Sequence, residues 1–177
     1  KIAEKANRIR WFGINREKKQ NGTWENDITE VGYKYQLTDL GACLLLDSIK
    51  EFKSIKSHRN LIYKTYLNNI NKNNKINCIK SYDKKSDEVM WLFTILTPYK
   101  DLLQNKLRNK KIETNQVHFR NDIYGIFKKF AKNTQFKNMD SVEDKYLVLP
   151  MHTRMTIKDA KRVANEVNNI LKNVSSK

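Results

Sequence analysis

The run VMWLFTIL at residues 89–96 constrains the fold more than any other stretch of this chain. It is short, apolar and rich in aromatic and β-branched residues, which is typical of a strand buried in a sheet. Thr97 and Pro98 follow it, and this pair is expected where a helix begins. A buried strand must be covered by other elements, so we looked for helices and further strands around it.

The segments that follow this run alternate between predicted helices and strands. The predicted elements are a helix to about residue 109, a strand over 112–117, a short helix near 140–146 and a strand in YLVLP. The last helix begins at a capping box formed by Thr156 and Asp159, and one of its faces is continuously apolar. This order predicts an α+β layer in which helices pack on a small sheet.

The first half of the chain is predicted to be helical, with one loop. A polar loop at residues 13–31 precedes a helix that begins at Thr38, with Asp39 in its first turn. The interior of this helix, LGACLLLDSI, is apolar nearly all round, so we expect it to be buried on most sides. A second helical stretch follows and ends in the Asn/Lys-rich segment 68–77, which predicts a solvated loop.

The net charge of +16 raises the question of a nucleic-acid partner. Most of the charge comes from Lys, which is poorer than Arg at bidentate recognition of phosphates or bases. The basic residues are also scattered, without a run of five or more. Abundant Lys, Asn and Ile together are what an AT-rich genome produces. We therefore expect no nucleic-acid function, and keep a basic nucleic-acid-binding α+β domain as an alternative.

The two cysteines, Cys43 and Cys78, do not form a CxxC pair. This predicts neither a disulfide nor a metal site, and it fits a reducing, cytoplasmic setting. No stretch approaches the ~20 apolar residues of a membrane span, so we expect no membrane partner. The length suits one domain, or one and a half, and the chain opens in what looks like the middle of a helix. We expect a C-terminal fragment of a longer protein.

Two loops carry the side chains that we consider for function. In QVHFRNDIYGIF, His118, Arg120 and Asn121 directly follow a predicted strand, where folds commonly place functional side chains. A hydrogen-bonded loop histidine and a surface arginine explain the same residues about equally well. In GYKYQ, at residues 32–36, Lys34 could bind an anion, although a solvated lysine is the common case. The segment LVLPMHTRMT is explained by the capping box, and we assign it to structure.

Five segments in this order and spacing resemble a known family: RWFGI, DITEVGYKYQLTDLGACLLL, the helix with His58 and Arg59, VHFRND and EDKYLVLPMHTRMT. Together they resemble the C-terminal half of the DegT-type (DegT/DnrJ/StrS) sugar aminotransferases, pyridoxal-phosphate enzymes of fold type I. The resemblance covers essentially the whole chain and implies an α/β fold overall. Residues 1–50 would end the large cofactor-binding domain and carry its dimer-interface loop. Residues 51–177 would form the α+β C-terminal small domain.

The resemblance implies a transaminase that transfers an amino group from glutamate to a keto-deoxysugar nucleotide for polysaccharide or glycan precursors. Pyridoxal 5'-phosphate carries the electron-sink chemistry, and the protein orients it. In the family, the Schiff-base lysine and the aspartate that pairs with the pyridine nitrogen lie in the large domain, ahead of residue 1 here. We therefore assign no catalytic residue in this chain and expect the chain alone to be inactive.

The resemblance also implies roles for the two loops. Family members form homodimers, and the loop that matches residues 32–36 reaches towards the partner's cofactor phosphate. Most members have Asn where Lys34 stands and Arg where Gln36 stands, so either residue could make the contact. The residues expected to bind the nucleotide sugar are Tyr35, His118, Arg120 and Asn121. The histidine would bond sugar hydroxyls, and the arginine would meet phosphate or carboxylate.

Two further interpretations follow from the same resemblance. Some family members carry histidine in place of the Schiff-base lysine and act as dehydratases, and no residue in this chain separates them from transaminases. An inactive relic that cannot hold the cofactor is the other possibility.

Overall fold

The computed structural model describes residues 1–22, 28, 30–70, 74–80, 88–132 and 134–174. The predicted loops at 13–31 and 68–77 therefore lie partly outside the described residues. The chain divides into two compact units, Lys1–Glu51 and Phe52–Lys177. Among the described residues, no helix is both long enough and apolar enough to cross a bilayer.

The helices and strands, numbered in chain order, are α1 (Ile2–Ile9), α2 (Arg16–Gln20), α3 (Asp39–Ile70), β1 (Asn77–Cys78), β2 (Phe93–Leu96), α4 (Lys100–Asn109), α5 (Lys128–Ala131), α6 (Lys137–Asp140), β3 (Tyr146–Leu149) and α7 (Ile157–Lys172). A 3₁₀ turn at Asn121–Ile123 lies between α4 and α5. The predicted arrangement of helices on a small sheet is confirmed.

The sheet is antiparallel, with the described strands in the order β1-β2-β3. In the central strand β2, Phe93 pairs with Leu149 and Leu96 pairs with Tyr146. Phe93 and Ile95 are fully buried, which is the period-two pattern of a strand with one face on the core. The strand is shorter than predicted, because it begins at Phe93 and not at residue 89.

The strand predicted over residues 112–117 is wrong. Among the described residues, the one β pairing of this segment is an isolated bridge between Asn115 and Val148. The Oδ1 atom of Asn115 accepts a hydrogen bond from the backbone N–H of Gln116 at 2.9 Å. Such a local bond competes with a regular ladder, and Lys111 opens the segment with a φ of 58°.

The core of the second unit lies between the sheet and the helices α3, α4 and α7. The ring centroids of Tyr66 in α3 and Phe93 in β2 are 4.7 Å apart. The Tyr66 hydroxyl donates to the carbonyl of Pro150 at 2.8 Å, and burial raises its pKa, so it stays a donor. The buried face of α7 matches the predicted apolar face and contains Ala160, Val163, Ala164, Val167 and Leu171.

Helix α3 differs from the prediction in two ways. It is one continuous helix of 32 residues, not two, although Thr38 caps it as expected by accepting a bond from the Gly41 N–H at 3.1 Å. The expected burial of its first half is wrong within this chain, because Leu40 is 74% exposed and Leu44 is 64% exposed. The first unit offers no core to cover them. Of its residues whose burial is described, only Gly13 is buried.

We expect Thr156→Ala to lower the free energy of unfolding of the second unit by about 0.5–2 kcal/mol. Thr156 accepts from the N–H of Asp159 at 3.1 Å, and the Asp159 carboxylate accepts from the Thr156 N–H at 2.9 Å. The substitution removes the first of these bonds. Urea unfolding of the intact protein measures the loss, with the exposed α7 residue Lys161→Ala as the matched control. Equal urea midpoints for Thr156→Ala and Lys161→Ala would contradict the stabilising role of the cap.

Candidate functional site

Backbone hydrogen bonds fix the GYKYQ segment of the first unit against the end of α1. The N–H of Tyr33 donates to the carbonyl of Ile9 at 2.7 Å, and the Tyr33 carbonyl accepts from Phe12 at 3.1 Å. Lys34 forms an isolated antiparallel bridge with Trp11. The segment is therefore held by an isolated bridge and by backbone hydrogen bonds, and is not a freely solvated turn.

Two glycines allow this close approach. Gly13 has a φ of 76°, and a Cβ atom on it would lie 2.3 Å from the carbonyl oxygen of Glu30. A Cβ atom on Gly32 would lie 1.9 Å from the backbone nitrogen of Gly13. No larger residue fits at either place without moving the backbone. Arg8 also holds the loop, because its Nε donates to the Glu30 carboxylate at 2.5 Å.

The side chains of the segment have different surroundings. The rings of Tyr33 and Tyr35, which flank Lys34 in the sequence, stack with centroids 5.1 Å apart. Lys34 is exposed and forms no side-chain hydrogen bond or ion pair with the described residues. The Oε1 atom of Gln36 accepts from Nη1 of Arg16 at 2.7 Å.

Sequence reasoning missed the contribution of Arg16. Its guanidinium carbon lies 5.6 Å from the centroid of the Trp11 ring, a cation–π contact, while it also bonds Gln36. The signal in the sequence was the basic residue three positions after Gly13, but its partner lies 20 residues further along the chain.

In the second unit, His118 contacts an aromatic residue that sequence reasoning assigned to a buried strand. The rings of His118 and Trp91 meet edge to face, with centroids 5.5 Å apart and planes at 63°. Trp91 lies outside β2 and is 63% exposed. His118 itself is exposed, so both rings face solvent.

Arg120 is held by two carboxylates. Its Nε and Nη2 donate to the two oxygens of Asp122 at 2.8 and 2.6 Å, and its Nη1 donates to Asp140 at 2.5 Å. These bonds to Arg120 lower the pKa of the Asp122 carboxyl. The cluster ties the 3₁₀ turn to α6. Asn121 is exposed, and its carbonyl accepts the Tyr124 N–H at 3.1 Å.

A second polar cluster lies at the base of the His118 loop. Nε2 of Gln116 donates to the Glu143 carboxylate at 2.9 Å. The ammonium of Lys100 donates to the Glu143 carbonyl at 3.2 Å. Gln116 is buried, and these bonds fix the point at which the chain leaves the sheet for the His118 loop. No sequence motif marks this cluster.

The structure thus groups the predicted residues in two places. Lys34, Tyr35 and Gln36 share one extended segment of the first unit with Arg16 beside it. His118, Arg120 and Asn121 lie on one loop of the second unit. Among the described residues, no group of three or more His, Cys, Asp or Glu side chains could hold a metal ion.

The DegT/DnrJ/EryC1/StrS aminotransferase family matches residues 1–168. The UDP-4-amino-4,6-dideoxy-N-acetyl-beta-L-altrosamine transaminase of Campylobacter jejuni subsp. jejuni serotype O:2 is 28% identical over 178 residues, which cover 98% of this chain and 46% of the relative. The chain spans about half of the length of the curated relatives it matches.

Solved structures share the fold. The aminotransferase TlmJ from Streptoalloteichus hindustanus has a TM-score of 0.84 at 15% identity, over 97% of this chain and 45% of that one. DesV from S. venezuelae, solved in complex with a ketimine intermediate, has a TM-score of 0.84 at 19% identity, over 98% of this chain and 45% of that one. The expected fold, that of the pyridoxal-phosphate aminotransferases, is confirmed.

We expect Gly32→Ala to detach the GYKYQ segment from α1, because the new Cβ atom would overlap the Gly13 nitrogen. Amide hydrogen exchange at Tyr33 and Tyr35 should speed up about tenfold or more, which corresponds to ~1.4 kcal/mol of local stability. Gly125→Ala is the control, since a Cβ atom there has nothing within 4 Å. Unchanged exchange in Gly32→Ala would contradict the tight approach.

Proposed function

Because the chain belongs to the DegT/DnrJ/EryC1/StrS aminotransferase family, we propose that it forms part of a pyridoxal 5'-phosphate-dependent transaminase for a nucleotide-linked keto sugar. The amino donor is glutamate, and the product is a precursor for polysaccharide or glycan synthesis. The Campylobacter relative, named as a transaminase of a UDP-linked dideoxy sugar, supports this substrate class. The observation that carries the proposal within this chain is the fixed GYKYQ segment that presents Lys34 to solvent.

We assign residues 1–50 to the end of the large cofactor-binding domain and residues 51–177 to the small domain. The exposed leucines of α3 support this assignment, because an apolar helix surface of this kind needs cover. The first unit does not provide that cover. A homodimer interface along the first half of α3 would supply it.

Lys34 and Gln36 have the chemistry that a cofactor phosphate requires. The Lys34 ammonium is exposed on an anchored backbone, and no carboxylate among the described residues neutralises it. The bond from Arg16 occupies the oxygen of the Gln36 amide, so the amide N–H groups remain to donate. A phosphate accepts hydrogen bonds from both an ammonium and an amide N–H group. We assign Lys34 as the charged contact to the cofactor of the partner subunit and Gln36 as its neighbouring donor.

When bound, pyridoxal phosphate supplies the electron sink for amino transfer. The residues of this chain bind the cofactor phosphate and orient the sugar substrate. Tyr35, which is 71% exposed, lies next to Lys34 and is assigned to substrate contact. His118 is assigned to a sugar hydroxyl, because its imidazole nitrogens can donate or accept, and the exposed amide of Asn121 can do the same.

The contacts of Arg120 favour a different role from the one that the resemblance implies. Three of its five N–H groups already bond Asp122 and Asp140, and these two carboxylates balance its charge. A substrate phosphate would have to compete with both. We therefore assign Arg120 to holding the His118 loop in position on α6.

The intact protein tests the activity directly. Supplied with pyridoxal phosphate, glutamate and a UDP-linked 4-keto-6-deoxy sugar, it should form 2-oxoglutarate in step with the aminated sugar. Omission of the keto sugar should stop the reaction after a single turnover of the cofactor. Consumption of the sugar without 2-oxoglutarate would contradict transamination and favour a dehydratase.

We expect Lys34→Ala to weaken retention of pyridoxal phosphate in the intact protein by about ten- to a hundredfold. A hydrogen bond from a charged group contributes ~1.5–3 kcal/mol, and every ~1.4 kcal/mol is tenfold in affinity. Equilibrium dialysis with absorbance detection measures the dissociation constant. The control is Lys18→Ala, an exposed lysine of the same unit. Equal effects of the two substitutions would show that Lys34 is an ordinary surface lysine.

A further inference from the structure

Trp91 combines an exposed side chain with an anchored backbone. Its indole is 63% exposed, although it lies two residues before the buried β2 residue Phe93. An exposed indole leaves a large apolar surface in water, which costs free energy until a ligand or another surface covers it. Single exposed apolar side chains are common on protein surfaces, so the anchoring of this one is the informative observation.

Arg59 fixes the backbone that carries Trp91. Its Nε donates to the carbonyl of Met90 at 2.5 Å, and its Nη2 donates to the carbonyl of Trp91. The same Nη2 also approaches the carbonyl of Met151 at 3.4 Å. One guanidinium thus joins the segment before β2 to the segment after β3. The backbone that carries the indole is fixed before any ligand arrives, so ligand binding would not have to order it.

His118 sets the geometry of the exposed surface. Its ring meets that of Trp91 at 63° and 5.5 Å, and an edge-to-face pair of this kind is a preferred aromatic geometry. Such a pair cannot cover both faces of the indole. Part of the indole surface therefore stays exposed next to an imidazole that can hydrogen-bond.

We propose that Trp91 and His118 form a platform for the sugar ring of the nucleotide-sugar substrate, an inference that rests on the proposed function. The indole face packs against the C–H groups of the ring, whose positive edges meet the negative π surface. His118 bonds a ring hydroxyl. A deoxysugar suits this platform because a methyl group in place of a hydroxymethyl group enlarges its apolar surface.

The chemistry of the pair favours a sugar over a nucleobase. A base needs several donors and acceptors for its polar edge, whereas the platform offers one imidazole. Arg59, which holds the backbone of Trp91, uses its Nε and Nη2 groups to bond backbone carbonyls. A sugar ring needs only an apolar surface and a hydroxyl partner.

Calorimetry on the intact protein tests the platform with two probes, UDP-N-acetylglucosamine and UDP. We expect Trp91→Ala to weaken binding of UDP-N-acetylglucosamine by about tenfold, the scale of a lost contact with one aromatic ring, and to leave UDP binding unchanged. Trp91→Phe should keep most of the affinity. Trp91→Leu keeps the apolar bulk without the π surface, and should lose affinity as the alanine variant does. Phe130→Ala, at another exposed aromatic residue of the same unit, is the matched control and should bind as the wild type does.

The two probes distinguish a contact of Trp91 with the sugar ring from a contact with the uracil base and from no contact with the ligand. Equal losses for both probes would mean that the indole stacks on uracil, and would overturn the assignment to the sugar. Unchanged binding in Trp91→Ala and Trp91→Leu would remove Trp91 from the site and leave the proposed function standing. Wild-type protein that binds neither probe would overturn a UDP-linked substrate, and the platform with it.

Discussion

Phe93 occupies the centre of the second unit, with the rings of Tyr63 and Tyr66 at 5.2 and 4.7 Å. Its burial holds the central strand of the sheet against α3, and the rest of this unit is arranged around that contact. β3 pairs with β2 along its full length, and the Asn115 bridge attaches the segment that leads to the His118 loop. The position of His118 thus follows from packing that lies well away from it.

The first unit depends on backbone hydrogen bonds and not on a core. Only Gly13 is buried among its residues whose burial is described, yet the GYKYQ segment has a defined position. The two glycines allow the backbones to meet, and the bonds between the two segments then hold them together. This arrangement holds an exposed lysine between two stacked tyrosines, a combination suited to a binding loop that a second surface covers.

Arginine and lysine divide the charge of this protein between two uses. In the described part of the chain, five arginines bond carboxylates, amides or backbone carbonyls of other segments: Arg8, Arg16, Arg59, Arg120 and Arg162. The planar guanidinium with several donors suits such bridges. Lysines make up much of the exposed positive charge, and the residue assigned to the cofactor phosphate is one of them. Net charge alone would not have separated the structural cations from the one proposed to bind a ligand.

The sequence by itself determined the elements whose signals lie within a few residues. The capping box of α7, its apolar face, the cap at Thr38 and the apolar runs of β2 and β3 are all local, and the structure contains them. The family resemblance, also in the sequence, is confirmed. Tertiary structure decided the rest: the exposure of the α3 leucines, the loss of the 112–117 strand, the balance of the Arg120 charge and the pairing of Trp91 with His118. These outcomes depend in part on contacts between residues 20 or more positions apart, as between Arg120 and Asp140, or on surfaces outside the segment, and no local pattern encodes the free energy of such contacts.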